Sequence, residues 1–149
     1  MSYADEGVGA PVLLIHGWAA HGGFFQDLAA RLARTRRVLT LTLRGHLGSE
    51  PGQAPLTIET LGEDIAEFVE ARELKAVTAL GWSMGAMALW AAAARLGDRL
   101  EAIIVEEMAP LEKELDGASD DKVEPLAKKI EEIGKKADAV REAIDKLDD

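Results

Sequence analysis

The residues best suited to chemistry in this sequence lie in the run Gly81-Trp82-Ser83-Met84-Gly85. A serine hydroxyl is a weak nucleophile until its surroundings activate it. A Gly-x-Ser-x-Gly run does part of that work when a strand precedes it and a helix follows, the arrangement of a nucleophile elbow. The sharp turn lifts the serine oxygen clear of the sheet edge, and the glycines let neighbouring backbone approach where a Cβ would clash. The helix N-terminus then offers a backbone N–H and a positive dipole end to a developing oxyanion. Here Val77–Leu80 reads as the strand and Met84–Ala94 as the helix. The five-residue pattern is common by chance, so this context carries the assignment. The other requirement is a base. The sequence holds only His16, His21 and His46, and all three precede Ser83.

The elements that must position Ser83 alternate between strand and helix. Val12-Leu13-Leu14-Ile15 is a short apolar run ended by His16-Gly17, which predicts a buried strand. Phe24–Ala33 has helical spacing, with Phe25, Leu28, Ala29 and Leu32 on one face. Arg37–Leu43 is β-branched and apolar, Thr57–Ala71 is helical with Leu61, Ile65, Phe68 and Val69 inward, and Ala76–Leu80 is the third strand. Met84–Leu96 is the next helix and Ala102–Val105 the fourth strand. Such alternation predicts an α/β fold: a parallel sheet covered on both faces, joined by right-handed crossovers.

Five segments taken in order resemble one family. They are Tyr3-Ala4-Asp5-Glu6-Gly7, Leu14-Ile15-His16-Gly17-Trp18, Leu43-Arg44-Gly45-His46, the serine run itself, and Ile104-Val105-Glu106-Glu107-Met108-Ala109-Pro110. Together residues 1–109 resemble the N-terminal half of an α/β-hydrolase of the small esterase and haloperoxidase-like type. The resemblance implies Ser83 as the nucleophile and the backbone N–H groups of Met84 and Trp18 as the oxyanion hole. It implies four parallel strands in the order 2-1-3-4, counting Val12–Ile15 as the first. In some members the triad acid follows the strand that ends here, which makes Glu107, or in second place Glu106, a candidate; a solvated or capping carboxylate is the other reading. The sequence also departs from the family, which often has Asp where Thr42 stands and Gly where Leu47 stands. The family's histidine follows its acid in the chain, and no histidine stands there. The resemblance makes His16 a structural residue of the oxyanion loop and His46 a packing and hydrogen-bonding residue of its own loop. His21, in a glycine-rich loop near the expected mouth of the site, is the one histidine retained as a stand-in base.

Composition changes near Pro110. Before it the cations are arginines apart from Lys75; after it they are lysines apart from Arg141. The expectation is a truncated hydrolase core over 1–109 joined to a Lys/Glu-rich helical tail over 110–149 of separate, engineered origin. Val123, Leu126, Ile130, Ile133, Ala137, Val140, Ile144 and Leu147 are spaced by alternating threes and fours, a narrow apolar seam of period 3.5. Asp121 and Glu124 suit a capping box and Pro125 a helix start. Gly134 allows one long helix or two broken there. The seam reads either as a helix laid on the core's sheet, giving a monomer, or as a dimerisation coiled coil.

The 149 residues suggest one domain of ordinary size, and 48% hydrophobic content is enough for a core. A formal charge of −10 disfavours nucleic acid and anionic membranes as partners. There is no cysteine, so neither a disulfide framework nor a thiolate metal site is expected, and no cofactor is implied. The N-terminal residues do not read as a signal peptide, and no apolar run approaches a membrane span. A soluble cytoplasmic or recombinant protein is expected. Its expected ligand is a small ester, with trace or no ester hydrolysis for want of the triad histidine. The alternatives are an active serine esterase with a non-standard or partner-supplied base, and a coiled-coil assembly module.

Overall fold

The computed structural model describes residues 1–106. Glu107 and the tail over 110–149, with its seam, lie outside the described residues.

Five strands form one mixed sheet: β1 (Ser2–Glu6), β2 (Pro11–Ile15), β3 (Arg37–Thr42), β4 (Val77–Trp82) and β5 (Leu100–Glu106), ordered β1-β3-β2-β4-β5. β2 pairs in parallel with both β3 and β4. The order β3-β2-β4-β5 is the one expected, but the all-parallel, four-stranded sheet is corrected at its edge. β1 pairs antiparallel with β3, from Ser2 opposite Thr42 to Glu6 opposite Val38. Apart from Ala4 its residues are polar, and all but Ser2 are exposed. An edge strand needs backbone partners on one side only and tolerates charge, so it carries no apolar alternation to betray it.

The remaining elements are α1 (Gln26–Leu32), α2 (Ile58–Ala71) and α3 (Met84–Leu96). The helix expected over Phe24–Ala33 is split: a 3-10 turn, Gly22–Phe25, precedes α1. Phe25, Ala29 and Leu32 are nonetheless buried, as their spacing predicts. α2 starts at Thr57, whose hydroxyl accepts from the Thr60 amide while the Thr60 hydroxyl accepts from the Thr57 amide. That reciprocal cap satisfies two of the amide donors a helix start leaves open.

The main core forms where Leu13, Ile15, Leu39 and Leu41 meet Leu61, Ile65 and Val69 of α2 and Leu89, Ala92 and Leu96 of α3. Leu13, Ile15, Leu39, Leu41 and Ile65 have no exposed surface. Burying each such side chain stabilises the fold by about 1.5–3 kcal/mol relative to leaving it in water. The apolar runs of β2 and β3 therefore fix where the C-terminal strand ends lie, and the serine run stands at one of them.

Candidate functional site

Ser83 sits between the last residue of β4 and the first of α3. Its backbone has φ 51° and ψ −117°. This left-handed φ is uncommon for a residue with a Cβ and marks a strained turn. The Ser83 carbonyl accepts from the Ala86 amide at 2.9 Å, so the chain enters the helix at once. The amides of Met84 and Gly85 fall in the first turn, where a helix offers no internal acceptor.

The glycines around it are required by close backbone approach. A Cβ on Gly85 would lie 2.5 Å from the carbonyl oxygens of Ile15 and His16, and one on Gly81 would lie 2.6 Å from Ala86 Cα. Gly17 faces the serine itself: a Cβ there would stand 3.2 Å from Ser83 Cβ and 3.1 Å from the Trp82 ring. The segment His16-Gly17-Trp18 is thus laid directly against the Ser83 turn. Trp18 follows Gly17 and is 67% exposed.

Each imidazole is assigned by its partners. His16 is fully buried. Its Nδ1 donates to the Gly17 carbonyl at 2.7 Å, and its Nε2 accepts from the Leu43 amide at 3.0 Å. A carbonyl only accepts and an amide only donates, so the neutral tautomer is fixed and both nitrogens are used. Burial holds its pKa below the ordinary histidine value, against the opposing pull of the Gly17 carbonyl. His16 therefore ties the loop before Trp18 to the end of β3.

His21 caps the 3-10 turn. Its Nδ1 accepts from the Gly23 amide at 3.1 Å, which commits the one acceptor nitrogen of the neutral ring. His46 donates from Nδ1 to the Arg44 carbonyl at 3.0 Å. Its ring stands edge-on to His16 at 4.8 Å and to Trp18 at 5.8 Å between centroids. Thr42, in place of the family's usual Asp, accepts from the Gly22 amide at 2.9 Å. Leu47, in place of Gly, is exposed. Glu106 closes β5 and is half-buried.

Two features were not legible in the sequence. Phe24 stacks on Trp82 with centroids 4.3 Å apart and planes 6° from parallel, which builds an aromatic wall on the residue preceding the serine. Arg44 grips Asp64 of α2 through two nitrogens and so anchors the loop that carries His46. Asp64 holds the Arg44 pKa above its ordinary value. A helical wheel placing Asp64 beside Leu61 and Ile65 was the available signal. A cavity of about 420 Å³ is lined by Ser2, Gln26, Thr40 and Thr42 and does not include Ser83. Among the described residues no group of three or more His, Asp or Glu could hold a metal ion. No helix among them is long and apolar enough to cross a membrane.

A model of the α/β hydrolase fold matches residues 10–125, which passes the expected boundary at 109. The pimeloyl-[acyl-carrier protein] methyl ester esterase of Neisseria meningitidis serogroup C is 35% identical over 92 residues, covering 62% of this chain and 34% of that protein. The enzyme of that name from Methylococcus capsulatus is 37% identical over 82 residues, covering 55% of this chain and 30% of its own. Among solved structures, a bromoperoxidase from Bacillus anthracis has a TM-score of 0.66 at 32% identity, over 69% of this chain and 38% of that one. A marine microorganism esterase has a TM-score of 0.66 at 28% identity, over 73% and 42%. The chain spans about a third of the length of the curated relatives it matches.

Proposed function

The chain belongs to the α/β-hydrolase fold family, and from that premise we propose that Ser83 is the nucleophile of a slow ester-hydrolysing site. The carrying observation is the positive-φ turn at Ser83, between β4 and α3, with Gly17 packed against it. In this reading the turn is a nucleophile elbow, and the amides of Met84 and Trp18 form the oxyanion hole.

The Ser83 oxygen attacks the ester carbonyl carbon, and its proton passes to solvent. The two amides receive the charge that develops on the carbonyl oxygen. The tetrahedral intermediate collapses to acyl-serine as the ester C–O bond breaks, and the departing alkoxide takes a proton from solvent. Water then hydrolyses the acyl-serine to the free acid and restores the hydroxyl. The Phe24–Trp82 stack and the exposed Trp18 offer apolar surface to the acyl or alcohol part. The relatives' name, a methyl ester esterase, supports a carboxylic ester as the substrate class.

The rate follows from the base. His16 has no free lone pair, and His21 has spent its own on Gly23. His46 is held by the Arg44 carbonyl and packed edge-on to His16 and Trp18, with no hydrogen bond to Ser83 among the described residues. No histidine follows Ser83 in these 149 residues. Losing the serine or histidine of a triad costs about 10⁶ in kcat in a protease of another fold. Oxyanion hole and binding alone leave about 10³–10⁴ over water. Activated aryl esters therefore turn over slowly, and alkyl esters do not measurably react. The same reading takes 110–149 as a tail of separate origin, on the arginine-to-lysine switch at Pro110.

A fluorophosphonate probe tests this beside a Ser83→Ala control. Slow labelling confined to Ser83, accelerated by added imidazole, is expected. Labelling that persists in Ser83→Ala overturns Ser83 as the nucleophile. Rapid labelling that imidazole does not accelerate overturns the missing base.

A further inference from the structure

α3 buries Met84, Ala88, Leu89, Ala92 and Leu96. Its other side carries Met87, Trp90, Ala91 and Ala94, at the spacing i, i+3, i+4, i+7, and all four are exposed. Met87 keeps 52% of its surface in solvent and Trp90 61%. An ordinary outward helix face carries charged and polar residues. This one carries an apolar stripe with a tryptophan at its middle, and exposed apolar patches of this kind mark interaction sites. Tryptophan is also among the residues most enriched at binding hot spots.

The neighbouring helix gives the stripe an acidic border. α2 and α3 touch at Gly62, where a Cβ would stand 2.6 Å from Ala91 Cβ. From that crossing α2 presents Glu63 and Glu67, both exposed. Glu70 follows and is bound by Arg95 of α3 at 2.6 and 2.9 Å. Glu63 and Glu67 form no ion pair among the described residues. They lie near enough to Arg44 and Arg95 to raise the pKa of each, although both arginines are already held by other carboxylates.

We propose that this two-toned face is a docking surface for a basic amphipathic helix of a partner protein. The stripe has the spacing at which one helix receives the apolar face of another. The free carboxylates of Glu63 and Glu67 select lysine or arginine flanking that apolar face. A second copy of this chain fits less well, because it brings the same carboxylates beside the same stripe. An anionic membrane or a nucleic acid meets the same repulsion.

The test uses the full chain and a fluorescent synthetic peptide of about 18 residues, long enough to form helix on a surface. Its leucines follow the spacing i, i+3, i+4, i+7 and its lysines flank them; a matched peptide carries glutamate for lysine. The lysine peptide binds in the micromolar range, read by anisotropy, and the glutamate peptide does not. Trp90→Ser weakens binding by about thirtyfold, the effect of truncating a hot-spot residue. The exposed double variant Glu63→Lys with Glu67→Lys loses the lysine peptide and gains the glutamate peptide, and circular dichroism confirms that it folds. Equal binding of both peptides, or unchanged binding by the charge-reversed variant, overturns the proposal. So does a dimer at tens of micromolar by light scattering that Trp90→Ser dissociates, since the occupant is then a second copy.

Discussion

Replacing Ser83 by glycine should make the chain more stable while removing the proposed nucleophile. The Ser83 angles, φ 51° and ψ −117°, lie beside the first central position of a type II′ turn, about +60° and −120°, which glycine dominates. A residue with a Cβ held there costs about 1–3 kcal/mol. Glycine removes that strain but adds about 0.5–1 kcal/mol of unfolded-state entropy. The net gain is about 0–2.5 kcal/mol, centred near 1 kcal/mol. Ser83→Ala is the control, because it deletes the hydroxyl and keeps the strained Cβ. The two variants are compared by urea unfolding followed by tryptophan fluorescence. Glycine should shift the midpoint upward with an unchanged denaturant slope. A gain of 1 kcal/mol corresponds to about 4 °C in Tm for a chain of this size. If Ser83→Gly is no more stable than Ser83→Ala, the backbone at Ser83 is unstrained and the elbow argument fails.

Gly17→Ala places a methyl 3.1–3.2 Å from Trp82 and Ser83, so the serine shifts by a few tenths of an ångström. Its labelling rate should fall about tenfold, given that an ångström of misplacement costs about 10²; an unchanged rate would detach this loop from the site. His16 is buried with its pKa held below the ordinary 6.5. On acidification the unfolded chain takes a proton at His16 that the folded chain refuses. Stability should therefore fall as pH drops below about 6.5, until the folded pKa is reached. Urea midpoints between pH 7.5 and 5.5 that stay level would refute the buried neutral ring, and His16→Asn should flatten the slope. Asp64→Asn leaves Arg44 half-buried without its counter-charge, which should cost about 1–3 kcal/mol in unfolding free energy. Lysine at 44 should not substitute, because the contact uses two guanidinium nitrogens.

Much of the fold could be read from apolar spacing. Val12–Ile15 was visible as a continuous apolar run, Val38–Thr42 as a buried stretch of apolar and β-branched residues, and α2 in the repeat Leu61, Ile65, Val69. β1 was hidden because an edge strand is held by its backbone: Asp5 and Glu6 pair opposite Leu39 and Val38 without an apolar side chain of their own. The split before α1 was hidden in side-chain to backbone bonding. His21 accepts from Gly23 and forces a tight turn, which aims Phe24 at Trp82 and Phe25 into the core. Helical spacing alone describes both phenylalanines as one continuous helix.

At the site, the sequence supplies residue types and order, while function turns on which lone pairs are committed. The sequence offers three imidazoles, of which the family resemblance retains His21 alone as a stand-in base. Their hydrogen bonds reduce the choice without any reference to distance. His16 uses both nitrogens to hold the loop that lies against Ser83, and removing it for catalysis would cost the loop. His21 uses its acceptor nitrogen to make the turn that carries Phe24. His46 alone fixes its proton on Nδ1 through Arg44 and keeps Nε2 without a partner among the described residues. Arg44 is itself fixed by Asp64, so an ion pair on α2 indirectly sets the tautomer of that ring. For His16 and His21 the commitments are structural: those two imidazoles hold the loop and the turn around Ser83, whereas His46 is the ring whose second nitrogen is left open.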